Sequence, residues 1–232
     1  MRSSYICIMK TRAIVIGASG LIGSLVVEKL LESNYQEIKL LVRKPLTFKD
    51  SRINQKIVDF SNFESYCAEF EGFESVFCAI GTTRKKTPDL NDYRKIDYDI
   101  PVNAIRCSEK NNVQSFMLVS SVGANPESSN FYLKIKGEVE QILQNAPIAN
   151  KAIFQPSLLI GERKEKRFGE WLAQKIMPVF NFIMPSAYKA IPAEIVAKAM
   201  VDFAQNKENS APESVVILQY AQMIAVEKKI KA

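Results

Sequence analysis

The stretch RAIVIGASGLIGSLVVEKLLES, Arg12 to Ser33, decides the fold. Its first part, RAIVIG (Arg12 to Gly17), is a short apolar run that reads as a buried strand ending in glycine. Its last part, LIGSLVVEKLLES, sets Leu21 above Leu25 and Ile22 above Val26, the i, i+4 spacing of a helix laid on a sheet. Between them stand Gly17, Gly20 and Gly23 in GASGLIG. A ligand-free glycine turn would need neither neighbour; here the strand precedes and the helix follows, which is the context of a dinucleotide site. Gly17 permits the tight turn, Gly20 lets the backbone approach a pyrophosphate, and Gly23 lets helix and strand pack closely. The phosphates would sit on the N–H groups at the helix N-terminus, so Ala18, Ser19, Leu21 and Ile22 belong to the same cradle.

Outward from this turn, short apolar runs alternate with amphipathic stretches, the signature of an α/β fold. EIKLLVR (Glu37 to Arg43) and QKIVDF (Gln55 to Phe60) read as the second and third strands, with ESVFCAIG (Glu74 to Gly81) as the fourth. QSFMLVSS (Gln114 to Ser121) is the fifth and KAIFQPS (Lys151 to Ser157) the sixth. NFESYCAEFEG is a short helix, and DLNDYRKIDYDIPVNAIRCSEKN a long one that Pro101 should kink or break. Another helix starts near Ser128, Ser129 or Asn130, each able to cap it, and runs to about Asn145. PAEIVAKAMVDFAQN is a helix with Pro192 near its start, SVVILQY a late strand, and the tail is helical. The expected architecture is a doubly wound parallel sheet, a Rossmann fold, over residues 11–160. Residues 161–232 are expected to form a small substrate-side region on the same domain.

Bulk properties narrow the chemistry. At 232 residues, 47% apolar and 24% charged, the chain suits one soluble domain. Its net charge of +6 is mostly scattered, apart from TTRKKT (Thr82 to Thr87) and the glutamate-diluted GERKEKRF (Gly161 to Phe168). Solvated basic loops explain these better than nucleic-acid binding, which is not expected. With no histidine and no CxxC among Cys7, Cys67, Cys78 and Cys107, neither a zinc site nor a histidine base is expected. Cys78 lies in an apolar run and reads as a buried small side chain. Reduced thiols, the short YICIM run at the N-terminus and the absence of an apolar run of ~20 residues point to a cytoplasmic chain with no membrane span.

The GxxGxxG spacing resembles the short-chain dehydrogenase/reductase superfamily, particularly its extended and atypical branches. An NAD site of this kind typically places an acid at the end of the second strand. Here that end is LLVRKP, with Arg43 and Lys44 and no acid. A cation there suits the extra phosphate of NADP, which is the expected cofactor as NADPH. The resemblance implies that Asp59 and Phe60 in VDFSN contact adenine. It also implies that Ala79, Ile80, Gly81, Thr82 and Thr83 in AIGTT lie along the cofactor, where small residues leave room for a ribose.

The fifth strand ends in Ser120 and Ser121, at the sheet edge where ligands bind in open α/β folds. The next helix carries Tyr132 and Lys136, four residues apart and so on one face. Lys134 points roughly 160° away by helix geometry. Alone, this spacing would mean a packed tyrosine and a solvated lysine. Beside a cofactor turn it becomes chemistry. Hydride reduction of a carbonyl makes an alkoxide that must receive a proton, and free tyrosine, with a pKa near 10, is a poor acid at neutral pH. A nearby ammonium and a cationic nicotinamide tune it to act as general acid or base. Lys136 would also bond the nicotinamide ribose, Ser120 would line the cofactor, and Ser121 would hold the substrate oxygen.

Four segments carry a closer resemblance: AIGTTRKK, SSVGANPESSNFYLKIKGEVE, FQPSLLIGERKEKRFGEWLAQK and YKAIPAEIVAKAM. Together, from about Ala13 to Phe203, they resemble the atypical Tat-interacting-protein oxidoreductase-like group. This implies an NADPH-binding Rossmann fold with Ser121, Tyr132 and Lys136 as its catalytic set. It places Pro156, Ser157 and Leu158 beside the nicotinamide. One position departs from the wider superfamily: Asp97, in IDYD, stands where many members carry an asparagine that organises a proton relay. Trp171, Phe180 and Phe182 line either an apolar substrate pocket or a dimer interface or core, with a peripheral membrane contact as a third option. The expectation is an NADP-dependent oxidoreductase acting on a small-molecule carbonyl or alcohol, as a monomer or homodimer. The competing class is a non-catalytic NADPH-binding redox sensor acting through a partner.

Overall fold

The structure is a computed structural model that describes residues 11–161, 189–206 and 214–231. Strands β1 (Arg12–Ile16), β2 (Glu37–Val42), β3 (Ile53–Ile57), β4 (Ser75–Cys78), β5 (Ser115–Val119), β6 (Asn150–Phe154) and β9 (Val215–Leu218) form one sheet. Their order is β3-β2-β1-β4-β5-β6-β9 and every pair is parallel. A second, two-stranded pair joins β7 (Leu159–Ile160) to β8 (Ile191–Pro192). The chain reverses direction of travel across the sheet between β1 and β4, so the crevice at the carboxyl ends of these two strands is the topological switch point.

Helices cover both faces: α1 (Leu21–Leu31), α2 (Phe63–Cys67), α3 (Leu90–Arg94), α4 (Ile100–Lys110), α5 (Phe131–Asn145), α6 (Ala193–Gln205) and α7 (Tyr220–Lys231). Alternation along β1 divides the core. Ala13 and Val15 face one apolar cluster with Val26, Leu30, Phe154, Val196 and Met200, under α1 and α6. Ile14 and Ile16 face the other with Val76, Phe116, Ile105 and Val139, under α2, α4 and α5. Burial on both faces is what a parallel sheet requires, and each fully buried Ile or Val contributes roughly 1.5–3 kcal/mol.

Two elements differ in detail from the sequence reading. The third strand begins at Ile53, because Ile38 of β2 pairs there, and its alternating burial is that of an edge strand. The long helix at 89–111 is three pieces: α3, a π turn (Lys95–Asp99) and α4. Pro101 has no N–H to give the carbonyl of Asp97, and the chain widens just before it. The late strand β9 joins the main sheet beside β6, and α6 packs next to α1, so both continue the Rossmann layers.

The expectation of reduced thiols is corrected at one pair. Cys67 at the end of α2 and Cys107 in α4 form a disulfide, with Cα atoms 5.1 Å apart and 40 residues between them in sequence. Both lie in the core, where the side chain of Asn111 donates to the carbonyls of both. Cys78 is free and buried. Closing a loop of this length stabilises a fold by about 2–4 kcal/mol. Reduction, or Cys67→Ser, is expected to lower the urea-unfolding free energy by about that much, with cofactor affinity as an independent readout.

Candidate functional site

The glycine turn is shaped by its own backbone. Gly17 has φ +92°, and a Cβ placed on it would lie 2.6 Å from the carbonyl oxygen of Ala79. A Cβ on Gly23 would strike the carbonyl of Gly17. The Gly20 N–H donates to that same carbonyl at 2.9 Å, closing the turn onto the start of α1. The first turn of α1 has no side-chain cap and no acidic residue, while Lys29 lies in its last turn. Its N–H groups are thus presented to an anion in the positive end of the helix dipole. Ser19 and Gly20 are exposed at the tip; Ala18 and Ile22 are buried, and Leu21 is half-buried. The turn therefore offers an anion hydrogen-bond donors and favourable charge.

Along the same sheet edge, Arg43 and Lys44 follow β2 and are exposed. After β3, the Asp59 carboxylate accepts from the backbone N–H (2.9 Å) and hydroxyl (2.7 Å) of Ser61, and these bonds hold its pKa below the usual carboxylate value. Phe60 turns inward and meets Tyr66 edge-on at 5.5 Å, so its ring is core. Ala79 and Ile80 are half-buried beyond β4, and the Ala79 N–H donates to Ile16 at 2.9 Å. Gly81 and Thr83 are exposed, and Thr82 is half-buried. Pro156 is buried and its carbonyl accepts from Val122; the Ser157 hydroxyl donates to the carbonyl of Lys189; Leu158 is 46% exposed.

Helix α5 starts at its cap, Asn130, whose side chain accepts from the N–H groups of Tyr132 (3.0 Å) and Leu133 (3.2 Å). Tyr132 is half-buried, and Lys136 Nζ lies 5.9 Å from the centre of its ring. Lys134 is exposed, on the other side of the helix. Ser120 is buried, with its hydroxyl beside the Glu140 carboxylate. Ser121 is half-buried, with only a long 3.4 Å contact from its hydroxyl to the Val122 carbonyl.

Lys136 is buried, and Asp97 is the reason it can be. Asp97 Oδ1 stands 3.1 Å from Lys136 Nζ, with the two side chains 1% and 7% exposed. The other carboxylate oxygen accepts the Thr82 N–H at 2.8 Å, and the Tyr93 hydroxyl donates to the Thr82 carbonyl at 3.2 Å. Burial disfavours the Lys136 ammonium, but Asp97, helped by Tyr132 and Cys78, outweighs it, and the pKa rises above the ordinary lysine value. Sequence reasoning singled out Asp97 as a departure but missed this pair. The signal was there: in sequence Tyr93, Asp97, Ile100 and Ala104 are spaced like an apolar helix face, all four are buried, and a buried carboxylate needs a cation. A second buried network was also missed. Gln155 donates to both Glu140 oxygens at 2.9 and 3.0 Å, and Gln219 donates to Gln155 at 2.9 Å. Burial raises the pKa of Glu140 despite these bonds and the nearby Ser120.

Trp171, Phe180 and Phe182 lie outside the described residues. Among the described residues, no group of three His, Cys, Asp or Glu is placed to hold a metal, and no helix is long and apolar enough to cross a membrane.

Comparison with known proteins adds lineage to this geometry. The profile of a family described as NAD(P)H-binding matches residues 17–207. Protein HTATIP2 of Rattus norvegicus is 33% identical over 192 residues, 81% of this chain and 78% of that one. Protein FMP52 of Candida albicans is 32% identical over 212 residues, 88% of this chain and 92% of that one. The crystal structure of the oxidoreductase ylbE from Lactococcus lactis superposes with a TM-score of 0.66 at 16% identity, over 96% of this chain and 98% of that one, which is a likeness of fold. The FMP52 protein of Candida albicans, like others of that name, is called mitochondrial, and this overturns the expectation of a cytoplasmic chain.

Proposed function

The chain belongs to the NAD(P)H-binding family, in the atypical short-chain dehydrogenase/reductase group of HTATIP2, and from this premise we propose that it is an NADP-dependent oxidoreductase that interconverts a small-molecule carbonyl and its alcohol. The observation that carries the reading is the buried Lys136 ammonium, held on one helical face with Tyr132 at the same sheet edge as the glycine turn.

The residues divide the work. Gly17 to Gly23 hold the diphosphate, and Arg43 with Lys44 attract the extra phosphate that distinguishes NADP. Asp59 borders the adenine side, Ala79 to Thr83 with Ser120 line the middle, and Pro156 to Leu158 border the nicotinamide side. Bound there, the nicotinamide supplies or takes up a hydride. Ser121 orients the substrate oxygen and stabilises its developing charge. In reduction Tyr132 gives its proton to that oxygen; in oxidation it removes one. Lys136 faces the Tyr132 ring and reaches for the nicotinamide ribose, so a single charge serves both binding and acid–base chemistry. The protein acts as a monomer or homodimer. The mitochondrial names of the fungal relatives make that compartment the one to examine, by fractionation.

Cofactor choice is tested by titration. NADPH is expected to bind at least about tenfold tighter than NADH, and Arg43→Ala to erase most of the difference, since one charge-assisted phosphate contact is worth roughly 1.5–3 kcal/mol. Equal affinities in the wild type would defeat the NADP assignment. Turnover is tested with NADPH and a panel of carbonyls. Tight binding with no turnover on any of them would favour the sensor instead.

A further inference from the structure

We propose that Asp97 is a positioning residue for Lys136: its two oxygens fix the lysine ammonium and the Thr82 backbone in one arrangement before any cofactor arrives. The inference rests on the cofactor reading above and adds to it a residue outside the Ser, Tyr and Lys set.

The geometry is specific. Asp97 sits on the π turn and is 1% exposed. One oxygen faces Lys136 Nζ at 3.1 Å and the other takes the Thr82 N–H at 2.8 Å. Gly81 borders the pair: a Cβ there would lie in ordinary contact with both, 3.4 Å from Asp97 Oδ1 and 3.9 Å from Lys136 Nζ. A buried ammonium with no counter-charge would shed its proton or leave the site. Asparagine at this position would keep the bond to Thr82 and lose the charge. Aspartate does both, and does so directly, with no intervening group.

The consequence is a dependence on pH that asparagine would expose. Lys136 is faced by Asp97 from the π turn, Tyr132 and Glu140 from its own helix, and Cys78 from β4, with Tyr93 of α3 facing Asp97 and Tyr132. Burial pushes the Cys78 thiol up to about 11 and also raises Tyr93, so both stay protonated in mild alkali. In Asp97→Asn, burial acts on Lys136 unopposed by its carboxylate, and the ammonium is lost at lower pH.

The measurement is NADPH affinity by fluorescence titration from pH 7 to 9.5, made in a Tyr132→Phe background so that this tyrosine cannot titrate. The parent is expected to hold its affinity within about twofold, and Asp97→Asn to lose at least about fivefold across the range. Asp97→Glu restores the flat profile, and Asp97→Asn combined with Lys136→Met is flat. An Asp97→Asn profile as flat as the parent's overturns the inference alone. Failure of the parent to bind NADPH overturns the cofactor reading together with it. If Asp97→Asn does not fold, Lys136→Met is compared with and without Asp97→Asn. Equal affinities within about twofold support action through Lys136, and a further loss of about fivefold or more overturns it.

Discussion

Tyr132→Phe is expected to lower carbonyl reduction by about 10²–10⁴-fold while leaving NADPH affinity within about twofold. The phenylalanine keeps the ring that packs near Lys136 and removes only the hydroxyl that moves the proton. The split between turnover and binding is therefore diagnostic. Substitution of a structural tyrosine would disturb both, whereas loss of an acid–base group disturbs only the chemical step. Steady-state kinetics on any carbonyl that the wild type reduces, with NADPH titrated separately, measure the two quantities. Unchanged turnover in this variant would sink the mechanism.

Asp97→Ala is expected to cost about 3–5 kcal/mol of folding stability, because it strands the Lys136 ammonium in the interior and orphans the Thr82 N–H. The double variant Asp97→Ala/Lys136→Met should recover part of this loss, since a well-filled apolar site tolerates burial that a lone charge does not. Urea unfolding of the four proteins closes the cycle. The pH dependence has a definite sign. The folded-state pKa of Lys136 lies above the unfolded value, near 10.4. The contribution of the ammonium is therefore complete below that value and is lost as pH rises through the higher folded one. The advantage of wild type over Lys136→Met should therefore shrink in strong alkali, and a gap that closed already in mild alkali would contradict the raised lysine.

The fold class was legible because it depends on local periodicity. Apolar runs ending in small residues, each followed by a helix with i, i+4 spacing, admit few architectures, and the glycine turn fixed where the first helix begins. Boundaries were less legible where a neighbour decides them. Ile53 enters β3 because Ile38 is opposite, and nothing within INQKI announces this. The candidate site divides in the same way. Tyr132 and Lys136 are one helical turn apart and can be read together, whereas Asp97 reaches Lys136 from 39 positions away, through a π turn that Pro101 only hints at. Cys67 and Cys107 likewise meet only because α2 and α4 lie on the same face of the sheet. Gln155 and Glu140 belong to a strand end and a helix interior, and polar residues at such places look solvated until the strands on either side are known.

The π turn also has a genetic consequence. One residue more than an α-helix needs is wound into Lys95–Asp99, so α3 and α4 are out of phase by about 100°. A single-codon deletion within those five positions would not break the helix; it would straighten it. The core face of α4, with Val102, Ala104 and Ile105, could then keep its place only if Tyr93 and Asp97 swung away from the sheet edge. In a deletion scan, this short segment should therefore weaken folding and cofactor binding together, because Lys136 would lose the carboxylate that lets it stay buried.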